Sequence, residues 1–521
     1  MTARVLKSYV EGNWKAGTDQ GTKLVNPVDG TTVAWASSKG IDLGAALDFA
    51  RRVGGPGLRK FSYGARAGLL GLVADVLAGK RDRWYEIARV NSGSTKADTA
   101  LDVDGSIGTL KYFARAGTKL GEASLLAQGT AIRLARDPNF QGCHAGIPLP
   151  GVAIHINAFN FPAWGLWEKA AVSLLAGVPV FAKPATATAW LAQEMVEAVI
   201  EAGILPEGSL SLLCGPPQDL LDHLRLGDVV AFTGSAVTGA AVRAHPRIRE
   251  QGVRVNVEAD SLNSALLGPD GEPGTPVFQS FVREVVREMT VKAGQKCTAI
   301  RRILAPADRA AAVTEAIVAE LPRVVVGDPV DEAVTMGPLV NQAQRTAVEE
   351  GIRVLAAETE VAFRSTLSSP LNAGAFVPPT LLELRDRSES RLVNELEVFG
   401  PVATVLPYRN NEDAFAIARR GGGSLAASVF SADTDYLADA AVALGISHGR
   451  VLLVDPSIVD AHTGHGVVLP SLTHGGPGRA GGGEELGGLH GLWFYHQRVA
   501  LQGSEATLKA VLARAADLGV N

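Results

Sequence analysis

The chain predicts an α/β fold built on parallel sheets, and three observations carry that expectation. Short β-rich runs alternate with helical patterns through its middle. Its 521 residues are 46% hydrophobic and 20% charged, the make-up of a packed globular protein rather than a disordered one. At roughly 100–200 residues per domain, this length corresponds to about two to four cores. Glycine stands at 58 of 521, or about 11% against a usual ~7%. No tripeptide period accompanies it, so the surplus means tight turns and close backbone approaches.

The elements follow in order. Val178–Ala182 reads as a buried strand. After Pro184, Thr186 or Thr188 can cap a helix over Ala189–Ala202, where Leu191, Met195 and Val199 recur at i+4 and Gly203 closes the last turn. Ser209–Leu213 is the next strand, Gln218–Leu224 a short helix and Val229–Phe232 another strand. A helix starts near Ala236, and Arg254–Val257 is a further strand. That succession is the nucleotide-binding pattern as a fold class. A second α/β region opens after Ser261, with helices near Phe281–Val291, Ala310–Leu321 and Glu412–Arg420 and strands at Ile300–Leu304 and Arg450–Val454. The glycine-dense segment Gly464–Gly491 reads as an ordered loop at a functional cleft.

Charge and cysteine usage narrow the setting. With 49 Lys+Arg against 54 Asp+Glu, the net charge is −5, which gives no general attraction to nucleic acid or anionic membrane. Met1–Trp14 contains no apolar stretch of signal-peptide length. The mostly apolar run Ala170–Ala182 is too short to span a bilayer and suits a buried core segment. Cys143, Cys214 and Cys297 are odd in number and far apart, so they form neither a disulfide framework nor a CxxC metal pair. A reducing cytoplasm is the expected compartment.

Several motifs are decoys. Gly476-Pro-Gly478-Arg-Ala-Gly481 matches GxGxxG, but no strand leads into it and Gly482 and Gly483 oppose a following helix. Gly445-Ile-Ser447-His448-Gly449 matches GxSxG in the order helix, turn, strand, the reverse of what exposes a nucleophilic serine. His462 and His465 form HxxH on a glycine-rich loop without a third ligand nearby, so no metal is expected. Cys297 is different. It sits in a Gly-bounded turn, Gly294-Gln-Lys-Cys297-Thr298, where its sulfur can be exposed and Lys296 would favour the thiolate. A buried inert thiol is the alternative, and Cys143-His144 is a rival nucleophile–base pair. Glu258 ends a strand where open sheets place their ligands; as a general base it would need burial to lift its pKa towards neutrality. The alternative there is a solvated strand-end acid. Asn160, set between Phe159 and Phe161, can offer its amide to an oxyanion or serve a turn. Gly234 and Ser235 open a helix after a strand, a geometry that lets backbone N–H groups face a phosphate.

Together and in order, these segments resemble the aldehyde dehydrogenase superfamily over nearly the whole chain. The matching stretches are Phe159-Asn-Phe-Pro162, Lys183-Pro-Ala185, Phe232-Thr-Gly-Ser235, Glu258, Gly294-Gln-Lys-Cys297, Glu397-Val-Phe399-Gly-Pro401 and the glycine-rich region near 475–488. The resemblance implies an aldehyde dehydrogenase-like α/β fold with a Rossmann-type cofactor domain (1–125 and 146–260), an α/β catalytic domain (261–485) and a small oligomerisation arm and tail (126–145 and 486–521) that pairs chains as a homodimer. It implies Cys297 as nucleophile, Asn160 as oxyanion amide, Glu258 as the base for deacylation and Lys169 in the proton path from that base. It implies a cofactor site made by Ile156, Asn157, Lys183, Ala185, Thr186, Gly234, Ser235, Glu397 and Phe399. Glu258 argues against a CoA-acylating enzyme, in which a thiol rather than water resolves the thioester.

Departures from the family pattern refine the expectation. Thr186 stands where members commonly carry a Glu that chelates both ribose hydroxyls. With Lys183 present, that favours NADP, NAD remaining possible. Glu258-Ala-Asp260-Ser-Leu-Asn263 replaces Glu-Leu-Gly-Gly-Lys, and His474-Gly-Gly476 replaces Phe-Gly-Gly. Gln497 falls where many members carry a Glu beside the water channel, which puts a proton relay there in doubt. Lys183-Pro-Ala-Thr-Ala-Thr188 and the run His474–Glu485 resemble a narrower branch acting on CoA-linked ring-cleavage semialdehydes in aerobic aromatic degradation. A member with an added hydratase domain would need more than 521 residues; the single-function members of the benzoyl-CoA epoxidation route are the expectation. A CoA-linked aldehyde is the expected substrate. A general dehydrogenase for free aldehydes and a Cys-dependent acyl hydrolase are the rivals.

Overall fold

The computed structural model describes residues 4–385 and 390–513; the end of the expected tail, 514–521, lies outside them. Two large sheets organise the chain. In the first, strands Arg254–Glu258, Val229–Thr233, Ala153–Ile156, Val180–Lys183 and Leu210–Leu212 lie side by side in that order and run parallel. Strands from the N-terminal segment, Arg4–Val10, Thr32–Ala36 and Thr22–Val25, extend the sheet beyond Leu210–Leu212. The strand order reverses next to Ala153–Ile156. The sequence moves one way from there to Val180–Lys183 and the other way to Val229–Thr233, so a crevice opens at the carboxyl ends between them.

Helix Trp164–Ala176 follows the first of these strands. Every residue in it except Gly165 is buried, as an all-round apolar helix in a core should be. Asp102 accepts hydrogen bonds from the Trp164 and Ala163 amides at 2.7 and 3.3 Å and so caps its start. Gly177, at φ +86°, ends it. Helix Ala189–Glu201 forms as the periodicity predicts, but neither threonine caps it through its side chain. A 3₁₀ turn over Thr186–Thr188 intervenes, and the Thr188 hydroxyl donates to Phe159 O at 3.1 Å instead.

The second sheet orders its strands Thr359–Arg364, Thr380–Leu384, Val402–Tyr408, Ile300–Pro306, Asn263–Leu267, Ser424–Phe430 and His448–Val454. All run parallel except the first, an antiparallel edge. Asn263–Leu267 and Ser424–Phe430 are buried at every position. They therefore lack the alternation that marks a half-exposed strand. Helix Pro276–Thr290 begins five residues before the Phe281 start expected, where Thr275 caps and Pro276 opens it.

Two small sheets complete the fold. Gly464–Gly491 is not a single loop: it contains an antiparallel hairpin of Thr473–Gly476 with Gly483–Leu486, bracketing the GxGxxG decoy. Leu126–Arg133, Phe140–Pro148 and His496–Ser504 form a separate three-stranded sheet. Among the described residues no single helix is long and apolar enough to cross a membrane; Leu43–Arg59 and Tyr63–Gly79 pass that test only as a pair bent by 111°.

Candidate active site

The carboxyl edge of the first sheet gathers residues from four strands. Glu258 pairs in register with Thr233, Phe232 with Ile156, and Ile156 with Lys183. Asn157 continues this edge, its amide donating to Lys183 O at 3.0 Å. Lys183 Nζ donates to Pro184 O at 2.9 Å and lies 3.5 Å from the Thr186 hydroxyl. Burial brings its ammonium down to about 8. Ala185 precedes the Thr186–Thr188 turn. Gly234 donates its N–H to Glu258 O. Ser235 caps helix Ala236–Ala244 by accepting from Thr238 N at 3.3 Å, and Asp260 accepts from Ala236 N at 2.9 Å. A phosphate entering this helix start therefore has to displace Asp260 from Ala236.

Glu397 and Phe399 approach from the second sheet. Glu397 accepts from Ser261 N at 3.2 Å, and the Phe399 ring stands edge-on to Phe159 at 5.8 Å. Burial lifts the Glu397 carboxyl to about 7, partly offset by Arg301. Along this crevice Asn157 Nδ2 and Oδ1 and Thr233 Oγ1 are buried with no hydrogen-bond partner among the described residues. Buried polar atoms left open in this way suit a ligand rich in hydroxyl and amide groups, such as a ribose-bearing dinucleotide.

Cys297 faces a cleft shared with Asn160, Glu258, His474 and the apolar side chains of Leu101, Phe161, Trp164 and Val468. The chain reaches it through three consecutive left-handed residues, Lys292, Ala293 and Gly294, at φ +53°, +52° and +68°. Such strain is held only where surrounding contacts fix it: Asp98 accepts from Lys292 N at 2.8 Å, and Asn263 Nδ2 donates to Cys297 O at 2.8 Å. The Asn160 amide makes no hydrogen bond to another described residue and is free to face the cleft.

Electrostatics revise two expectations. Lys296 pulls the Cys297 thiol down, but its Nζ is held by both Glu288 oxygens at 2.8 and 2.9 Å and the pull is outweighed. Burial, with the Glu258 carboxylate within 4.8 Å of its sulfur, pushes the thiol well above its ordinary range. Nor is Glu258 lifted towards neutrality. Burial acts in that direction, but His474, with Nε2 at 3.3 Å from Glu258 Oε1, and Lys169 hold it below the usual carboxylate range. Lys169 Nζ bridges Glu168 at 3.0 Å and Glu485 at 3.1 Å. The carboxylates at Lys169 are thus Glu168 and Glu485. Gln497 is exposed and accepts from Arg254 at 2.9 Å.

The remaining candidates lie elsewhere. Cys143 and His144 sit in the three-stranded sheet, paired with Leu501 and Ala500, one buried and the other exposed. Cys214 is buried against Lys183, its thiol pushed up to about 12. Ser447 lies between helix Thr434–Gly445 and strand His448–Val454. His465 bonds Ser428 and His462 bonds Ser280, so the HxxH pair does not converge.

The chain matches the aldehyde dehydrogenase family over residues 14–499. It is 52% identical over 477 residues to the 3,4-dehydroadipyl-CoA semialdehyde dehydrogenase of Aromatoleum evansii, covering 91% of this chain and 93% of that one. The chain belongs to the aldehyde dehydrogenase family. The enzyme is therefore an oxidoreductase acting on aldehydes. Protein MaoC of Klebsiella aerogenes is 45% identical over 179 residues, 34% of this chain and 52% of that protein. In fold, the dehydrogenase matches betaine aldehyde dehydrogenase from Staphylococcus aureus in complex with NAD+ at a TM-score of 0.83, with 22% identity over 96% of this chain and 95% of the other. It matches an aldehyde dehydrogenase from Bacillus cereus at 0.83, with 21% identity over 96% and 97% of the two chains.

Three of the dehydrogenase's buried ionisable groups escaped assignment from sequence. Glu168 and Glu485 flank Lys169, with carboxylate oxygens of Glu168, Glu258 and Glu485 within 4.8 Å of one another. Burial raises Glu168 to about 7 against the pull of Lys169. A signal was present: Glu168-Lys169 is the only charged pair in an otherwise apolar helix. His474 was visible as a departure, but its contact with Glu258 depends on how two distant segments dock.

Proposed function

We propose that the enzyme oxidises a CoA-linked semialdehyde, 3,4-dehydroadipyl-CoA semialdehyde, to its acid with NADP+, in the aerobic degradation of benzoate. The observation that carries the chemistry is the shared cleft: Cys297 Sγ and a Glu258 oxygen lie within 4.8 Å of each other in the cleft that the open Asn160 amide also lines. The relative of 52% identity, whose printed name is that of a CoA-semialdehyde dehydrogenase, supports the substrate class.

Cys297 gives up its proton and attacks the aldehyde carbon, forming an S–C bond and an alkoxide. Asn160 Nδ2 and the Cys297 backbone N–H donate to that oxygen. The dinucleotide, bound along Asn157, Lys183, Gly234 and Glu397, supplies the hydride acceptor. Phe399 and Phe159 set the wall on which its ring would rest. Glu258 then takes a proton from water as the water attacks the Cys297 thioester, and the acid leaves as the thiolate is restored. From Glu258 the proton leaves along the Lys169–Glu168–Glu485 cluster: a carboxylate there takes it, while the Lys169 ammonium holds both carboxylates in place. Thr186 beside Lys183 supports NADP, because no carboxylate stands there to repel a 2′-phosphate.

Comparing kcat/KM for the CoA-linked and the free semialdehyde, each with NADP+ and NAD+, tests this reading. The CoA-linked substrate with NADP+ is expected to give the highest value. Equal values for the free aldehyde would leave a general aldehyde dehydrogenase, and a higher value with NAD+ would overturn the cofactor assignment.

A further inference from the structure

Three side chains of metal-ligating type reach the cleft from three separate segments. Glu258 ends strand Arg254–Glu258, Cys297 follows the left-handed turn at Lys292–Gly294, and His474 stands on strand Thr473–Gly476 of the glycine-rich hairpin. That hairpin docks on strand Arg254–Glu258: Asn256 Oδ1 accepts from Glu484 N at 2.8 Å, and Ala259 N donates to Ala480 O at 2.9 Å. A side chain at Gly481 would place its Cβ 2.1 Å from Val257 O, so the close approach needs glycine there. Docking brings His474 Nε2 to 3.3 Å from Glu258 Oε1. A His474 ring nitrogen, a Glu258 oxygen and Cys297 Sγ all lie within 4.8 Å of one another. Glu258 and His474 are buried, and Cys297 is half-buried in the same cleft.

We propose that Cys297, Glu258 and His474 form a reversible, inhibitory binding site for a zinc-class divalent cation. A thiolate, an imidazole nitrogen and a carboxylate are a ligand set that Zn2+ takes, three protein ligands leaving a fourth position open to the cleft. Tetrahedral Zn2+, with N and O bonds of about 2.0–2.2 Å, sets those two atoms about 3.3–3.5 Å apart. The His474–Glu258 pair already stands at 3.3 Å. Charge fits as well. In the free cleft, burial and the Glu258 carboxylate keep the Cys297 thiol protonated, because a thiolate there would face a second anion. A dication among the three groups reverses that repulsion. One thiolate, one carboxylate and a neutral imidazole balance its charge, as a buried site requires. On binding, the Cys297 S–H proton and any proton on His474 Nε2 leave to solvent, and sulfur, nitrogen and oxygen each give an electron pair to the cation. A thiolate so held cannot attack an aldehyde until a chelator withdraws the metal. The third ligand comes with the departure of His474-Gly-Gly476 from Phe-Gly-Gly. The inference uses the cleft of the proposed reaction but rests on its ligand atoms, not on the substrate.

The test is protection of Cys297 from iodoacetamide by Zn2+, read at the Cys297 peptide by mass spectrometry. The full chain is kept at one mildly alkaline pH, with free Zn2+ set by a chelator buffer. About 10 μM free Zn2+ is expected to slow alkylation at least tenfold, and EDTA to restore it. The same concentration of Mg2+ should leave the rate unchanged, because a thiolate–imidazole site selects against hard cations. Cd2+ in place of Zn2+ should give an ultraviolet sulfur-to-metal charge-transfer band that Cys297→Ser loses. In His474→Phe and His474→Gln, each compared with its own metal-free rate, half-protection should need at least about tenfold more free Zn2+. Unprotected Cys297 in the wild-type chain would overturn the site. So would half-protection within about twofold of wild type in both His474 variants, which leaves zinc on the thiol alone, or a charge-transfer band that survives in Cys297→Ser. Aldehyde-dependent NADP+ reduction by the metal-free chain is read separately, and its absence would overturn the dehydrogenase reading while alkylation still decides the metal site. Where turnover is present, Zn2+ should inhibit it at the concentration that protects Cys297; undiminished turnover by a protected thiol would overturn the inhibitory role.

Discussion

Asn160 offers Cys297 an amide that no other described group has claimed, and a donor of this kind matters most when charge develops on the substrate oxygen. Asn160→Ala should lower kcat roughly a hundred- to a thousand-fold in steady-state assays while leaving cofactor binding intact. A loss confined to KM would contradict the oxyanion role. Glu397 gives a second test through stability. Its carboxyl is raised to about 7 in the fold, so the protonated form is favoured there and wild-type stability falls as pH rises from the ordinary carboxyl range through 7. Glu397→Gln cannot titrate. Without cofactor, its Tm relative to wild type should rise between pH 5 and pH 8, and a difference independent of pH would contradict the burial argument. Cys297, Glu258 and Asn160 were legible in sequence because each sits in a contiguous motif at an element end. Glu168, Glu485 and His474 were not, because their meaning depends on pairing between segments hundreds of residues apart.

The elements that aim these residues depend on a few backbone conformations. At Gly294, φ is +68° and an added Cβ would lie 2.1 Å from Gly400 O. Gly294→Ala should therefore disturb the turn before Cys297, with a stability loss of at least about 1–3 kcal/mol and a changed alkylation rate at Cys297. Wild-type Tm together with wild-type alkylation would contradict that account. The parallel strands bearing Lys183, Thr233 and Glu258 were readable from their β-rich runs and intervening helices. Asn263–Leu267 and Ser424–Phe430 went unread because central strands buried on both faces carry small and apolar residues without alternation. The segment Gly464–Gly491 looked like a loop because glycine lowers strand propensity. Its hairpin exists because those glycines let its backbone lie against strands 254–258 and 424–430.

For the whole molecule, the Glu258–Asn263 connection leads from one mostly parallel sheet to the other, and the cleft lined by Cys297 and Asn160 also takes Glu258 from the end of the first. The fold class was legible because both sheets repeat strand–helix alternation. The three-stranded sheet went unread from sequence, since it pairs strands more than 340 residues apart, such as Phe140–Pro148 with His496–Ser504. That sheet leaves Ile132, Phe140 and Ile147 exposed, at 61%, 41% and 40%, and exposed apolar side chains on one small sheet are a natural pairing surface. We propose that it joins two chains. Light scattering should give about twice the 54.3 kDa chain mass or more, and Ile132→Asp with Phe140→Asp should shift it towards one chain. A wild-type mass of one chain would contradict the arm's role.

The central claim is that aldehyde oxidation passes through an acyl thioester on Cys297 that Glu258 clears. A single-turnover reaction of Glu258→Gln with the CoA-linked semialdehyde and NADP+, followed at 340 nm and by intact-protein mass, tests it most directly. The account predicts close to one equivalent of NADPH per chain, little further turnover, and an acyl adduct mapped to Cys297. Undiminished steady turnover, or an adduct on Cys143 or Cys214, would contradict it.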